Sequence, residues 1–180
     1  MRRKERGFSL IEALIALAAA ALLLAVAVPA WSAASAKAHT TAAKASMATT
    51  VLDAVRHSSV TATEVVVCPS ADGLACATTT RWEDGWLAFA DRDGNRRPGP
   101  GETRLRHADP LGGSIRMRST SGRTRLVFQP HGGNAGSNVT FTLCDGRGSR
   151  HATTLVLSNS GNMRQGIPTQ NAALACVHGG

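Results

Sequence analysis

The chain predicts an α+β fold: one long N-terminal helix, its first part able to cross a membrane, followed by a head of antiparallel β-structure. Three observations carry this. Residues 8–28 hold a single charge, Glu12, behind a basic start containing Arg2, Arg3, Lys4 and Arg6. Residues 33–58 are rich in alanine and lack both glycine and proline. From Glu64 onward, short β-branched and aromatic runs alternate with turn-forming glycine, asparagine and aspartate.

The apolar stretch comes first. As a helix, its 21 residues reach about the 30 Å of a hydrocarbon core. A secretory signal has a shorter apolar region ending in a small-x-small site, and Ala25-Val26-Ala27 and Ser32-Ala33-Ala34 match that only weakly. A plain anchor with a cytoplasmic N-terminus satisfies the positive-inside rule and places the remainder outside. Neither explains Glu12, five residues into the apolar run, where an unpaired acid costs about 2.5–3.5 kcal/mol on insertion scales.

The helix is expected to continue beyond Pro29, which removes one backbone donor and predicts a kink or local melting there. Met47, Val51, Ala54 and Val55 fall on one face and Thr49, Asp53 and Arg56 on the other, so one side of the later half should bury. Strands are expected at 65–68, 85–90, 103–106, 114–118, 123–129, 138–144 and 152–157. Between them lie DGL, DRDGNRRPGPGE, DPLGG, STSG, PHGGNAGSN and CDGRGS, whose residues suit turns.

With 180 residues, one head plus an anchor is the expected organisation. Cys68, Cys76, Cys144 and Cys176 all follow the anchor, in the part expected outside, where disulfides persist. Four cysteines allow three pairings. The favoured one joins Cys68 to Cys76 across PSADGLA and Cys144 to Cys176, tying the tail to a strand, with the others left open. There is no CxxC pair and His131, His151 and His178 are scattered, so no cysteine–histidine metal site is expected.

Net charge is +8 and unevenly placed. Residues 1–7 carry +3, residues 31–103 carry −1, and residues 104–180 carry +7 from nine arginines against Asp109 and Asp145. Arginine's planar fork suits phosphate. Arg104 and Arg106, Arg116 and Arg118, and Arg123 and Arg125 are each two apart, so on strands each pair shares a face. Such a stripe could neutralise phosphates in double-stranded DNA. The structural alternatives are edge protection, or contact with acids such as Glu83, Asp84 and Asp91 in a neighbouring subunit.

Other chemistry finds little support. Asp91, Asp93, Asn95 and Glu102 occupy positions 1, 3, 5 and 12 of a calcium-loop template, but Arg96 stands at its glycine position and Arg97 follows. A polar turn between strands is the expectation there, with no metal and no cofactor. No GxSxG, HExxH or reactive-cysteine context is present, and His57 beside Ser58 and Ser59 near Asp53 reads as a polar helix end. Trp82 and Trp86, four apart at the start of a strand, are expected to pack.

The words carry a resemblance. RGFSLIE resembles the class III signal of type IV prepilins and type II secretion pseudopilins. That resemblance implies that Gly7 ends a leader cut by a prepilin peptidase and that Phe8 becomes an N-methylated first residue. Glu12 would pair with the terminal amine of a neighbouring subunit, and a buried acid and amine cost less together than apart. Pro29 matches a proline common at this depth in pilin helices. Further along, Trp82, Gly85, Trp86, Phe89, Asp91, Asp93, Gly94 and Asn95, then Phe128, Pro130 and Gly132, then FTLCDGRG and LSNSG, look like the GspH/FimT group of minor pilins and pseudopilins. FimT-type pilins implicated in DNA uptake bear a Gly-Arg-any-Arg word near the C-terminus; Gly161, Asn162, Met163 and Arg164 stand here, so its first arginine is missing.

The resemblance implies a pilin-like α+β fold divided as leader 1–7, helix 8–60 with a spanning part at 8–28, and β-rich head 61–180. It implies a non-enzymatic minor type IV pilin anchored in the bacterial inner membrane, head in the periplasm, that helps prime pilus assembly at the tip. Other pilins and the prepilin peptidase would be its partners. Double-stranded DNA is a candidate partner through Arg116, Arg118, Arg123, Arg125, Arg147, Arg150 and Arg164. The alternatives are a minor pseudopilin of a type II secretion system and a membrane-anchored binding protein that never polymerises.

Overall fold

The protein is described by a computed structural model covering residues 9–179; Gly7 and Phe8, the expected cleavage and methylation positions, lie outside the described residues. Helix α1 runs Leu10–Thr61, with Glu12 in its first turn and Pro29 inside it. Two compact units divide the chain, Met1–Ser35 and Ala36–Gly180.

In the first unit, α1 is exposed at every described residue as far as Ala34. Leu10, Ile11, Leu14, Ile15, Leu17, Leu22, Leu23, Leu24, Val26, Val28 and Trp31 all show more than half of their surface. This stretch is long and apolar enough to cross a membrane. An apolar surface of this size needs lipid or protein around it. Pro29 does not melt the helix, which is assigned continuously through it. The proline forfeits one backbone hydrogen bond, and Ala25, Ala27, Ala30 and Ala33, with high helix propensity, help hold the turns on either side.

In the second unit, Thr40, Ala43, Met47, Thr50, Val51, Ala54 and Ser58 form the buried stripe of α1, recurring at three- and four-residue steps as a single packed helix face requires. The stripe meets two antiparallel sheets rather than one. The first contains β1 (Glu64–Pro69), β2 (Trp86–Asp91), β3 (Arg104–Ala108) and β5 (Leu126–Phe128), ordered β3-β2-β1-β5. The second contains β4 (Arg116–Ser119), β6 (Val139–Cys144), β7 (Thr153–Leu157) and β8 (Met163–Gly166), ordered β4-β6-β7-β8. Helix α2, Gln170–His178, closes the tail, capped by the Thr169 side chain and by Gly179 in the left-handed region.

Alternation along the strands builds the core. Val65 and Val67 of β1, Trp86 and Ala88 of β2, and Leu126 and Phe128 of β5 join Met47, Val51 and Ala54 of the helix. Met117, Phe141, Leu143, Leu155 and Leu157 enter the same cluster from the second sheet. Trp86 is fully buried and its indole N–H donates to Thr50 Oγ1 at 3.0 Å, so the buried polar atom is satisfied. Trp82 stands edge-on to Phe141 with ring centroids 5.2 Å apart. Both tryptophans are therefore packing residues.

The opposite face of the first sheet is covered as well. Val66, Cys68, Leu87, Phe89 and Val127 form a second cluster with Cys76 and Ala135 against it. This explains why β2 is buried at all six positions, a pattern expected of a strand covered on both faces. The Cys68–Cys76 disulfide holds the loop after β1 beside this cluster, and Cys144–Cys176 ties β6 to α2. Gly85, with φ 105°, precedes β2 where an added Cβ would lie 2.5 Å from the Ala108 carbonyl oxygen, so only glycine fits the WxxGW word there.

Candidate functional site

Three regions could carry function: the uncovered start of α1, the arginine-rich surface, and the loop between β2 and β3. In the first, Glu12 lies in the opening turn of a helix, where an acid is favourable to the macrodipole. It is exposed and makes no ion pair among the described residues.

The arginines do not form the continuous stripe that their spacing suggests. Arg116 donates to the Val177 carbonyl at the end of α2. Arg118 is largely buried in an ion pair with Glu83, itself joined to Arg81 at 3.4 Å. Arg123 and Arg125 precede β5 rather than lying on it: Arg123 donates to the Ser137 carbonyl at 2.7 Å and Arg125 to the Arg96 carbonyl at 3.0 Å. Their guanidinium groups brace loops, because a backbone carbonyl beside a fixed arginine offers a nearer partner than solvent. Arg106 pairs with Asp53 of α1 at 2.9 Å.

Arg147 is bound too, through Nε and Nη2 to Asp145, and keeps 20 % of its side-chain surface. Burial pushes the Asp145 carboxyl up, but the Arg147 side chain, the Arg147 N–H and the Thr40 hydroxyl outweigh it and hold the group at about 2. Asp145 in turn raises the Arg147 guanidinium above its ordinary value. Thr40 Oγ1 donates to Asp145 at 2.8 Å, so this buried acid links the helix to the turn after β6.

One basic cluster lies beside that link. A cavity of about 470 Å³ is lined by Lys37, Lys44, Arg147, Arg150 and His151, with Thr40, Thr41, Ala152, Thr153 and Ile167. Lys44 donates to Gln165 of β8 at 2.9 Å, next to exposed Arg164. Arg150 and Lys37 are exposed and form no ion pair among the described residues. The helix lysines Lys37 and Lys44 are not among the residues expected from sequence. Their signal is a seven-residue spacing, two turns of one helix face.

In the β2–β3 loop, one carboxylate oxygen from each of Asp91, Asp93 and Glu102 lies within 4.8 Å of the other two. Asp91 is 3 % exposed. Burial raises its carboxyl above the ordinary range, the Arg96 N–H opposes this, and Glu102 and Asp93 add to the rise.

A long N-terminal apolar helix followed by a head of antiparallel sheets around the helix's later half defines the class of pilin-type filament subunits, and comparison with known proteins agrees. A prokaryotic N-terminal methylation motif matches residues 2–28, and the family described as type II transport protein GspH matches residues 39–161. The chain belongs to that GspH family of minor pilins and pseudopilins. Its fold is similar to that of the type IV minor pilin FimU of Pseudomonas aeruginosa strain PAO1, seen in two crystal forms. TM-scores are 0.55 and 0.54 at 14 % identity, covering 73 % of this chain and 89 % and 94 % of those chains. No curated protein sequence matches. The family is one of structural subunits that assemble with other pilins after processing by a prepilin peptidase.

Proposed function

We propose that this chain is a minor type IV pilin that helps start filament assembly at the pilus tip, with no enzymatic activity. On this reading the leader ends at Gly7, Phe8 is methylated, residues 8–28 anchor the subunit in the inner membrane and the head faces the periplasm. The uncovered apolar start of α1 carries the proposal, since that surface has no occupant within the described chain and contains one acid, Glu12. In a filament, the helices of neighbouring subunits would cover it and an N-terminal amine would meet Glu12, making each group less costly to bury. N-terminal sequencing of membrane-purified protein should begin at Phe8. Glu12→Ala should abolish piliation while the subunit still reaches the membrane; unchanged piliation would favour a non-polymerising anchor.

The same surface serves a minor pseudopilin of a type II secretion system, a reading favoured by the description of the matched family. The basic cavity supports the pilus reading instead, because DNA is a polyanion. The head is proposed to hold the backbone of double-stranded DNA through Lys37, Lys44, Arg150 and Arg164. Arg147 is held by Asp145, and Arg116, Arg118, Arg123 and Arg125 are occupied within the head. With about four phosphates neutralised, the logarithm of affinity should fall with the logarithm of salt at a slope of roughly −3 to −4. Electrophoretic mobility of labelled duplex DNA with the full chain in detergent tests this, and no shift at low salt removes it.

A further inference from the structure

We propose that the loop joining β2 to β3 is a calcium site, with Asp91, Asp93 and Glu102 as its charged ligands. The inference is independent of the DNA reading. It begins with charge: three carboxylates converge within 4.8 Å, and none of them is in an ion pair among the described residues. Yet the loop itself contains Arg92, Arg96 and Arg97. Arg96 directs its Nε toward Glu64, 3.8 Å away, and all three arginines are exposed. Cations are at hand and are not used, although mutual repulsion among three acids would favour their use.

The second observation is an unsatisfied buried atom. Asp91 is 3 % exposed; its Oδ2 accepts the Arg96 N–H at 3.1 Å, while Oδ1 is buried with no hydrogen-bond partner. A buried carboxylate oxygen without a partner is costly and rare, and it lies on one of the three converging acids. A hard dication bound by oxygen satisfies it.

The residues around it fit the ligand. Counting Asp91 as the first position of a twelve-residue calcium loop, Asp93 is third, Asn95 fifth and Glu102 twelfth. The objection visible in the sequence is Arg96 at the sixth position, where the template has glycine for a sharp turn. Arg96 adopts φ 58°, the left-handed conformation for which glycine is used, so the backbone follows the required path despite the side chain. Arg97 at the seventh position is asked only for its backbone carbonyl, which leaves its side chain free to point elsewhere. Loop N–H groups already orient the acids: Asn95 donates to Asp93 Oδ1 at 3.0 Å, Arg92 to Glu102 Oε1 at 3.2 Å and Gly99 to Glu102 Oε2 at 2.9 Å. Calcium here would clamp the end of β2 to the segment leading into β3, fixing a long exposed loop at the edge of the sheet.

The test is calorimetric titration of the full chain, stripped with EDTA and held in detergent, with calcium chloride and separately with magnesium chloride. One calcium per chain should bind with a Kd of about 1 mM or tighter, and magnesium at least roughly tenfold more weakly. Because Asp91→Asn could fail to fold, the exposed Asp93→Asn and the Glu102→Gln variants carry the argument; each should weaken calcium at least about tenfold, whereas Asp84→Asn should not. Two outcomes overturn the proposal. Absence of binding at about 10 mM calcium by folded protein would show that the cluster holds no calcium, and undiminished affinity in Asp93→Asn plus Glu102→Gln would place the ion elsewhere.

Discussion

Replacing Asp145 by asparagine should cost the head about 2–3 kcal/mol at neutral pH. Asp145 is buried, receives the Thr40 hydroxyl at 2.8 Å and holds Arg147 through Nε and Nη2. Its carboxyl falls from 3.8 to about 2 in the folded chain, worth about 2 kcal/mol of linkage. A depressed folded pKa stabilises above the unfolded value and loses that stabilisation as pH falls through the folded one. The contribution is therefore full above about pH 5 and disappears between about pH 4 and 2. The substitution would also leave the Arg147 guanidinium, 20 % exposed, without a counter-charge. Urea denaturation of the full chain in detergent, followed by near-ultraviolet circular dichroism, measures both effects. The gap between wild type and Asp145→Asn should be about 2–3 kcal/mol at about pH 7 and close to zero at about pH 2. A gap below about 0.5 kcal/mol at neutral pH, or one that stays constant into acid, would refute the role assigned to this acid.

Other predictions follow from the same structure. Replacing Cys144 and Cys176 together by serine should cost about 3–4 kcal/mol by the loop-entropy argument for a separation of 32, and more than the Cys68–Cys76 pair with its separation of 8, as read from denaturation midpoints. Trp86→Phe should lose about 1–3 kcal/mol, since it removes the bond to Thr50 and leaves a void in a fully buried site; Thr50→Val in the same background should then cost little more. If DNA is bound as proposed, Arg150→Ala and Arg164→Ala should each reduce the salt slope by about 1, while Arg118→Ala should act on stability through Glu83 and leave the slope unchanged.

Much of the head could be read from its pattern. Seven runs of β-type residues became strands within a few positions, because each is bounded by residues that cannot continue a ladder and small shifts at either end leave the same apolar face inward. Strand β8 and helix α2 lie outside the expected elements. Met163–Gly166 is polar at its centre and pairs along only one edge with β7, so its apolar pattern is too short to be seen. The helix is nine residues long, marginal by itself, and depends on the disulfide and on Ala173 and Cys176 packing beside Cys144. The arginine pairs show the limit of spacing: Arg116 and Arg118 leave one face of β4 as expected, yet each has a partner within the head. Spacing predicts which face a side chain leaves from, and cannot say whether a carbonyl or carboxylate waits there.

By itself, then, the sequence determined the long helix, its uncovered apolar start, the position of Glu12 and the change from helical to β-type structure at Glu64. These depend on local propensity, hydropathy and turn chemistry, all of which act between near neighbours in the chain. Only the tertiary structure decided that there are two sheets, that Arg147 belongs to Asp145 and Arg118 to Glu83, that Lys37 and Lys44 share a cavity with Arg150, and that the acids at both ends of the β2–β3 loop meet. Arg118 with Glu83, and the helix lysines with Arg150, join residues far apart in the chain, while Arg147 with Asp145 is a local pair made consequential by its burial under Thr40. A charged group taken from water must find a partner, and which distant one lies within reach is settled only when the sheets close on the helix.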